Sequence, residues 1–177
     1  MSLGGTGPEP SGSGCNTGDA SHDAICNSMA AGVTYAVAAG NESDNARNHV
    51  PAAYDEVITV SALADFDGQP GGLGAPTCLS DVDDTFANFS NFGADIDLIA
   101  PGVCILSTYR RGGYATLSGT SMASPHVAGA AALYKANNPG ASPAQVKTAL
   151  QNAGNTNWND VDDPDPTKET LVNVDVF

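Results

Sequence analysis

Short apolar runs and segments of helical spacing alternate along this chain. "VTYAVAAGN" (33–41), "DEVITVSAL" (55–63), "IDLIAPG" (96–102) and "CILST" (104–108) lack regular polar alternation, as strands buried on both faces do. "GGYATLSG" (112–119) leads into the helix that follows. Helical spacing runs over "HDAICNSMAAG" (22–32), with Asp19 or Ser21 as candidate cap and Gly32 as stop. "SPAQVKTALQNAG" (142–154) is amphipathic, with Ser142 at the cap, Pro143 in the first turn and Gly154 at the end. Between them "LSGTSMASPHVAGAAALY" (117–134) reads as a helix with almost no polar face, and therefore as buried. Buried strands alternating with helices predict an α/β fold, a mainly parallel sheet flanked by helices.

Two segments break the alternation. Residues 63–85 are a Gly/Pro/Asp-rich insertion, and residues 155–177 an acidic C-terminal extension closing on an expected short strand, "LVNVDVF". The 177 residues suit one domain. Six basic against twenty acidic residues, a net charge of −14, disfavour nucleic acid and anionic membranes as partners. No apolar run reaches the roughly 20 residues of a membrane span. Met1 leads into Ser-Leu-Gly-Gly without a charged leader, so the chain reads as cytosolic or as the mature interior of a longer protein.

The cysteines refine that choice. Cys15, Cys26, Cys78 and Cys104 lack metal-ligand spacing, which leaves two disulfides or four packed thiols. Disulfides imply an oxidising, extracellular compartment, and proximity in sequence favours Cys15–Cys26 with Cys78–Cys104.

Candidate chemistry gathers at Ser121. It sits in the first turn of the apolar helix, with Thr120 as candidate cap, where unpartnered N–H groups and the helix dipole can stabilise an oxyanion. Gly119 and Ala123 leave room for a carbonyl. Asn41, ending an apolar strand, can aim amide donors into the crevice where parallel sheets place their sites. Taken singly, the serine is also an ordinary helix-start residue and the asparagine an ordinary turn residue.

The run "GTSMASPHVAGAAALY" (119–134) resembles the nucleophile signature of the subtilisin-like serine proteases. "SLGG" (2–5), "AAGN" (38–41), "VITVSA" (57–62), "FANFSNFG" (86–93), "IDLIAPG" (96–102) and "ILST" (105–108) follow in that family's order. The resemblance implies a subtilisin-like fold with Ser121 as nucleophile. It implies Asn41 as side-chain oxyanion donor, with the Ser121 N–H as the second. It also implies a peptide substrate pairing with an edge strand at Ser2, Leu3, Gly4 and Gly5. Gly4 and Gly5 would wall one side of the pocket and Ala38, Ala39 and Gly40 the other, beside Gly119 and Thr120, with Glu42 at the rim favouring basic side chains. Family members take their Asp and His from upstream of the Ser-Leu-Gly-Gly strand, so the resemblance implies a partial domain lacking both partners. Inactivity alone, an upstream segment as partner and self-association are the corresponding expectations.

None of the three histidines is a ready substitute. His126 is five residues beyond Ser121, about 140° around the helix; His22 has no reason to face the site; His49, after Asn41, is the least remote. Some relatives bind calcium through two backbone carbonyls and an aspartate, which here implies Asp55, Val57 and Asp97, although Tyr54-Asp55 stands where the family often has Tyr-Pro. Asp97 as a simple turn cap is the alternative. Asp81, Asp83 and Asp84 form a second calcium candidate. Two rival functions remain: a non-catalytic peptide-binding module, and another serine hydrolase, the latter disfavoured because no Gly-x-Ser-x-Gly surrounds Ser121.

Overall fold

The computed structural model describes residues 1–9 and 14–177. Its centre is strand β4 (Ile58–Ala64), every residue of which is buried. The strand β2 (Ala36–Ala38) runs parallel to it in register Ala36↔Ile58, and β6 (Leu98–Pro101) is parallel in register Val60↔Leu98. β5 (Thr85–Phe86) adds antiparallel at the far end of β4. Helix α2 (Thr120–Asn137) lies across β2, β4 and β6, with α3 (Pro143–Ala153) beside it. This is the expected α/β architecture. Two short strands, β1 (Gly5–Thr6) and β3 (His49–Val50), form an antiparallel pair of their own.

Small residues explain how close α2 comes. Ala123, Val127, Ala130 and Ala131 meet Val60, Ala62, Leu98 and Ala100, and Val146 and Leu150 of α3 close the layer. On the sheet's other side Ile25 of α1 (Ala20–Ala30) packs with Val37, Tyr54 and Val57. Covered on both faces, β4 needs no polar alternation, and each buried Val, Leu or Ile contributes about 1.5–3 kcal/mol. The caps follow the sequence: the Asp19 side chain accepts from His22 N at 2.8 Å, and Ser142 with Gln145 forms a capping box.

Both expected disulfides form. Cys15–Cys26 ties the loop before α1 to that helix, and Cys78–Cys104 ties the insertion to the turn after β6. Loop closure of this length contributes about 3 kcal/mol each.

Three expectations change. "CILST" is not a buried parallel strand: β7 (Ile105–Tyr109) pairs with β8 (Gly113–Leu117), formed by "GGYATLSG", as an exposed antiparallel hairpin. "LVNVDVF" forms no strand, because only Leu171 bridges, to Ile99 and to Asn155. Helix α2 is buried on one face only. Pro125, Ala128, Gly129, Ala132 and Leu133 face outward, with Leu106 beside Pro125; Leu106 and Tyr114 are 68% and 73% exposed.

Candidate active site

Helix α2 begins where β2 and β6 end. Gly119, not Thr120, is the N-cap, at φ +150°, and its N–H donates to Gly102 O at 2.8 Å. Thr120 is the first helical residue and fastens the junction. Its N–H donates to Asn41 Oδ1 at 2.8 Å, and its hydroxyl lies 3.1 Å from Gly40 N and 3.2 Å from Gly40 O. With its oxygen taken, the Asn41 amide is turned so that Nδ2 remains a free donor. Both Asn41 Nδ2 and Ser121 N lie 3.7 Å from the point where a Gly119 Cβ would stand, so the two donors flank the same spot. Among the described residues the Ser121 N–H and hydroxyl have no hydrogen-bond partner. Two unspent donors and a hydroxyl thus converge at the positive end of an 18-residue helix, an arrangement suited to an oxyanion.

These groups border a cleft of about 400 Å³ lined by Leu3, Gly4, Gly5 and Thr6 on one side and Ala38, Gly40 and Asn41 on the other, with Ser121 between. Ser2 adjoins it, its hydroxyl donating to Ser121 O at 2.8 Å. Ala39 and Ala123 do not line it; each is fully buried and faces the core. Met1 pairs with β2 through Ala38 N, which donates to Met1 O at 3.0 Å.

Asn91 is the residue sequence reasoning missed. Fully buried, it accepts from Glu42 N and Asp44 N, each at 3.0 Å, and its Nδ2 lies 2.9 Å from both Ala39 O and Glu42 Oε2. It moulds the turn that presents Asn41. Gly40 crosses this bracket at φ +110°, where a Cβ would come within 2.2 Å of Asn91 Nδ2. A lone Asn inside "FANFSNFG" carried no signal for that role.

The histidines separate. His49 lines the cleft, but its ring is held by carboxylates: Nε2 is 3.0 Å from Asp44 Oδ2 and Nδ1 is 3.7 Å from Glu42 Oε2. Donors from Asn48, the Asn45 N–H and His49 hold the Asp44 carboxyl below its usual range. His126 Nδ1 turns back to Met122 O on its own helix, at 2.8 Å. His22 is buried, stacked on Tyr54 and 2.9 Å from Glu56 Oε2.

The expected calcium ligands do converge, but on a lysine. Lys147 Nζ donates to Asp55 O at 2.9 Å, Val57 O at 2.8 Å and Asp97 Oδ2 at 2.8 Å. An ammonium has three donors, and all three are used here. Its charge stands where a metal would, so these residues do not fit a bound calcium ion. Burial pushes the Asp97 carboxyl up, against the Lys147 charge that pulls it down. Asp97 also accepts from Thr59 N at 2.9 Å and from Gln151 at 3.1 Å. In the second candidate, Asp83 and Asp84 gather with Asp65 rather than Asp81.

Known proteins share this chain's sequence and fold. Subtilisin-like protease 3 of Trichophyton equinum is 42% identical over 136 residues, 77% of this chain and 30% of that protein. Subtilisin DY of Bacillus licheniformis is 40% identical over 163 residues, 90% of this chain and 50% of that protein. The crystal structure of a cold adapted subtilisin-like serine proteinase superposes with a TM-score of 0.73 at 35% identity, covering 97% of this chain and 52% of the other. The chain thus spans half or less of the curated relatives it matches. No helix among the described residues is long and apolar enough to cross a membrane. The profile of the subtilase family matches residues 1–170, and the chain belongs to that family.

Proposed function

We propose that these residues form the nucleophile-bearing part of a serine endopeptidase that acts outside the cell. The observation that carries this reading is the meeting of Ser121 with two unspent donors, its own N–H and Asn41 Nδ2, in a cleft edged by an exposed extended segment. A substrate peptide lies along Leu3–Thr6 by strand addition. The Ser121 hydroxyl loses its proton to a base and attacks the scissile carbonyl. The Asn41 amide and Ser121 N–H hold the resulting oxyanion, which collapses to an acyl-enzyme with loss of the amine, and water then releases the acid. Glu42, on the cleft rim, supports a preference for basic side chains.

The base is the missing part. No described histidine donates to or accepts from Ser121 Oγ, so the reading assigns the His and Asp of the triad to an upstream segment. Two observations support such a partner: the chain spans half or less of the relatives' length, and the outer face of α2 with the β7–β8 hairpin leaves apolar surface exposed. The two disulfides support an oxidising compartment.

The test is labelling by a fluorophosphonate, read by mass, with the 177 residues alone and joined to an upstream segment carrying Asp and His. Alone, the chain self-associates and labels slowly, since a serine without its base is a poor nucleophile. The joined protein labels fast and cleaves peptide, and Ser121→Ala abolishes both. A joined protein that binds peptide without labelling would establish the binding-module reading instead. Efficient cleavage by the 177 residues, lost in Ser121→Ala and His49→Ala, would make His49 the base.

A further inference from the structure

The junction before Ser121 is gripped from a second side, by the turn that follows β6. Gly119, the N-cap of α2, donates to Gly102 O at 2.8 Å, and Cys104 N donates to Ser118 Oγ at 2.9 Å. A Cβ on Gly102 would stand 3.0 Å from Gly119 O and 2.6 Å from the Ala62 Cβ, so the turn lies directly against the junction. Gly119 O in turn accepts from Met122 N at 2.9 Å, inside the first turn of the helix. Any shift of residues 102–104 is therefore passed to the backbone on either side of the Ser121 N–H.

The turn is itself under constraint. Cys104 stands at φ +58°, a left-handed conformation that an L side chain rarely adopts and that persists only where its surroundings impose it. Two groups impose it here: the Ser118 hydroxyl, and the disulfide to Cys78, whose Sγ lies 4.0 Å from that same hydroxyl. Immediately beyond them the β7–β8 hairpin opens with the pair Ile105↔Leu117, and most of it is exposed. Bridge and hydroxyl thus sit at the base of a projecting ribbon, between it and the nucleophile helix. The bridge is also open to attack. Cys78 is exposed, and among the described residues the backbone of 75–81 makes no hydrogen bond. In the other bridge Cys26 is buried within α1.

We propose that Ser118 is a positioning residue for Ser121 and that the Cys78–Cys104 bridge keeps it in place, so that a thiol reductant slows the chemistry at Ser121. The inference rests on Ser121 being the nucleophile. A dithiol passes two electrons and two protons to the bridge: its own two thiols close to a disulfide, and Cys78 and Cys104 become free thiols. Cys104 then relaxes towards negative φ, its N–H leaves Ser118 Oγ, and the junction loses one of its two ties to the turn. The donors at Ser121 drift from the position the oxyanion needs. Peptide binding is spared, because among the described residues no hydrogen bond joins Leu3–Thr6 to residues 102–104.

The experiment has two arms. In the 177 residues, amide exchange is read at positions 104 and 119 for the wild type with and without dithiothreitol, for Ser118→Ala, for Ser118→Thr and for Cys78→Ala/Cys104→Ala. Exchange at both amides should quicken with the reductant, in Ser118→Ala and in the double variant, and Ser118→Thr, which keeps the hydroxyl, should restore it. In the protein joined to an upstream segment carrying Asp and His, the same three changes should lower kcat by roughly 10- to 100-fold at unchanged KM, again with rescue by Ser118→Thr. Dithiothreitol should add nothing in Cys78→Ala/Cys104→Ala. Unchanged exchange in Ser118→Ala and the double variant, a loss carried by KM alone, or a reductant effect that survives in the double variant would overturn the proposal. Faster exchange in the variants beside a joined wild type whose Ser121 never labels would overturn the nucleophile reading and not the grip on the junction.

Discussion

Lys147→Met removes the internal cation while keeping most of the side chain's length. In the structure it strips one partner from Asp97 Oδ2 and orphans the acceptors Asp55 O and Val57 O. Breaking a buried ion pair by deleting one member costs about 3–5 kcal/mol. Lys147 is 21% and Asp97 12% exposed, and Asp97 keeps bonds from Thr59 N and Gln151, so about 3 kcal/mol is the fitting magnitude. For a chain of this size that is a fall in melting temperature of roughly 6–12 °C. Urea unfolding should show a lower midpoint at unchanged slope, since the surface exposed on unfolding is the same. Asp97→Asn added to Lys147→Met should recover part of the loss, because the orphaned charge is gone. Lys147→Met should also gain a calcium response, the three oxygens being free for a metal. A loss under about 1 kcal/mol, as for an exposed pair, would refute the claim that the ammonium replaces the ion.

Further outcomes follow from the same contacts. Burial first, and then neighbouring acids, raise the folded pKa values of Glu169 and Asp163 to about 8 and about 6, above their unfolded values, so the folded state binds the extra protons. Their stabilisation is complete below about pH 4 and lost as pH rises to about 8, a few kcal/mol in all; Glu169→Gln should flatten the curve of unfolding free energy against pH. Asn91→Ala should cost about 2–4 kcal/mol, because it orphans buried backbone groups of the 39–44 turn, and should speed amide exchange at Glu42 and Asp44. Unchanged exchange there would mean that Asn91 does not hold the turn.

Sequence by itself determined the elements whose causes are local. Apolar runs marked β2, β4 and β6 because strands covered on both faces show no alternation, and Ser142 with Pro143 marked the start of α3 because capping is a short-range matter. The cysteines paired as proximity suggested. Local reading left Ser121 and Asn41, two residues 80 apart, between chemistry and ordinary helix-start and turn positions, and resemblance supplied their roles. What the fold decided was which partners meet. Half of α2 is as apolar as the rest yet faces outward, since burial depends on what lies opposite and not on the residue. The β7 stretch "CILST" is legible as extended but not as exposed, for the same reason. Asn91 matters through four contacts with residues about 50 positions away, which no periodicity encodes. The Asp55, Val57 and Asp97 oxygens were placed together by resemblance, but α3 supplies Lys147 to them from 90 residues downstream, and an ammonium in that spot alters the chemistry. In the acidic extension, sequence marks solvated charge; only the folded loop buries Glu169 beside Trp158, where its carboxylate oxygens meet no donor among the described residues.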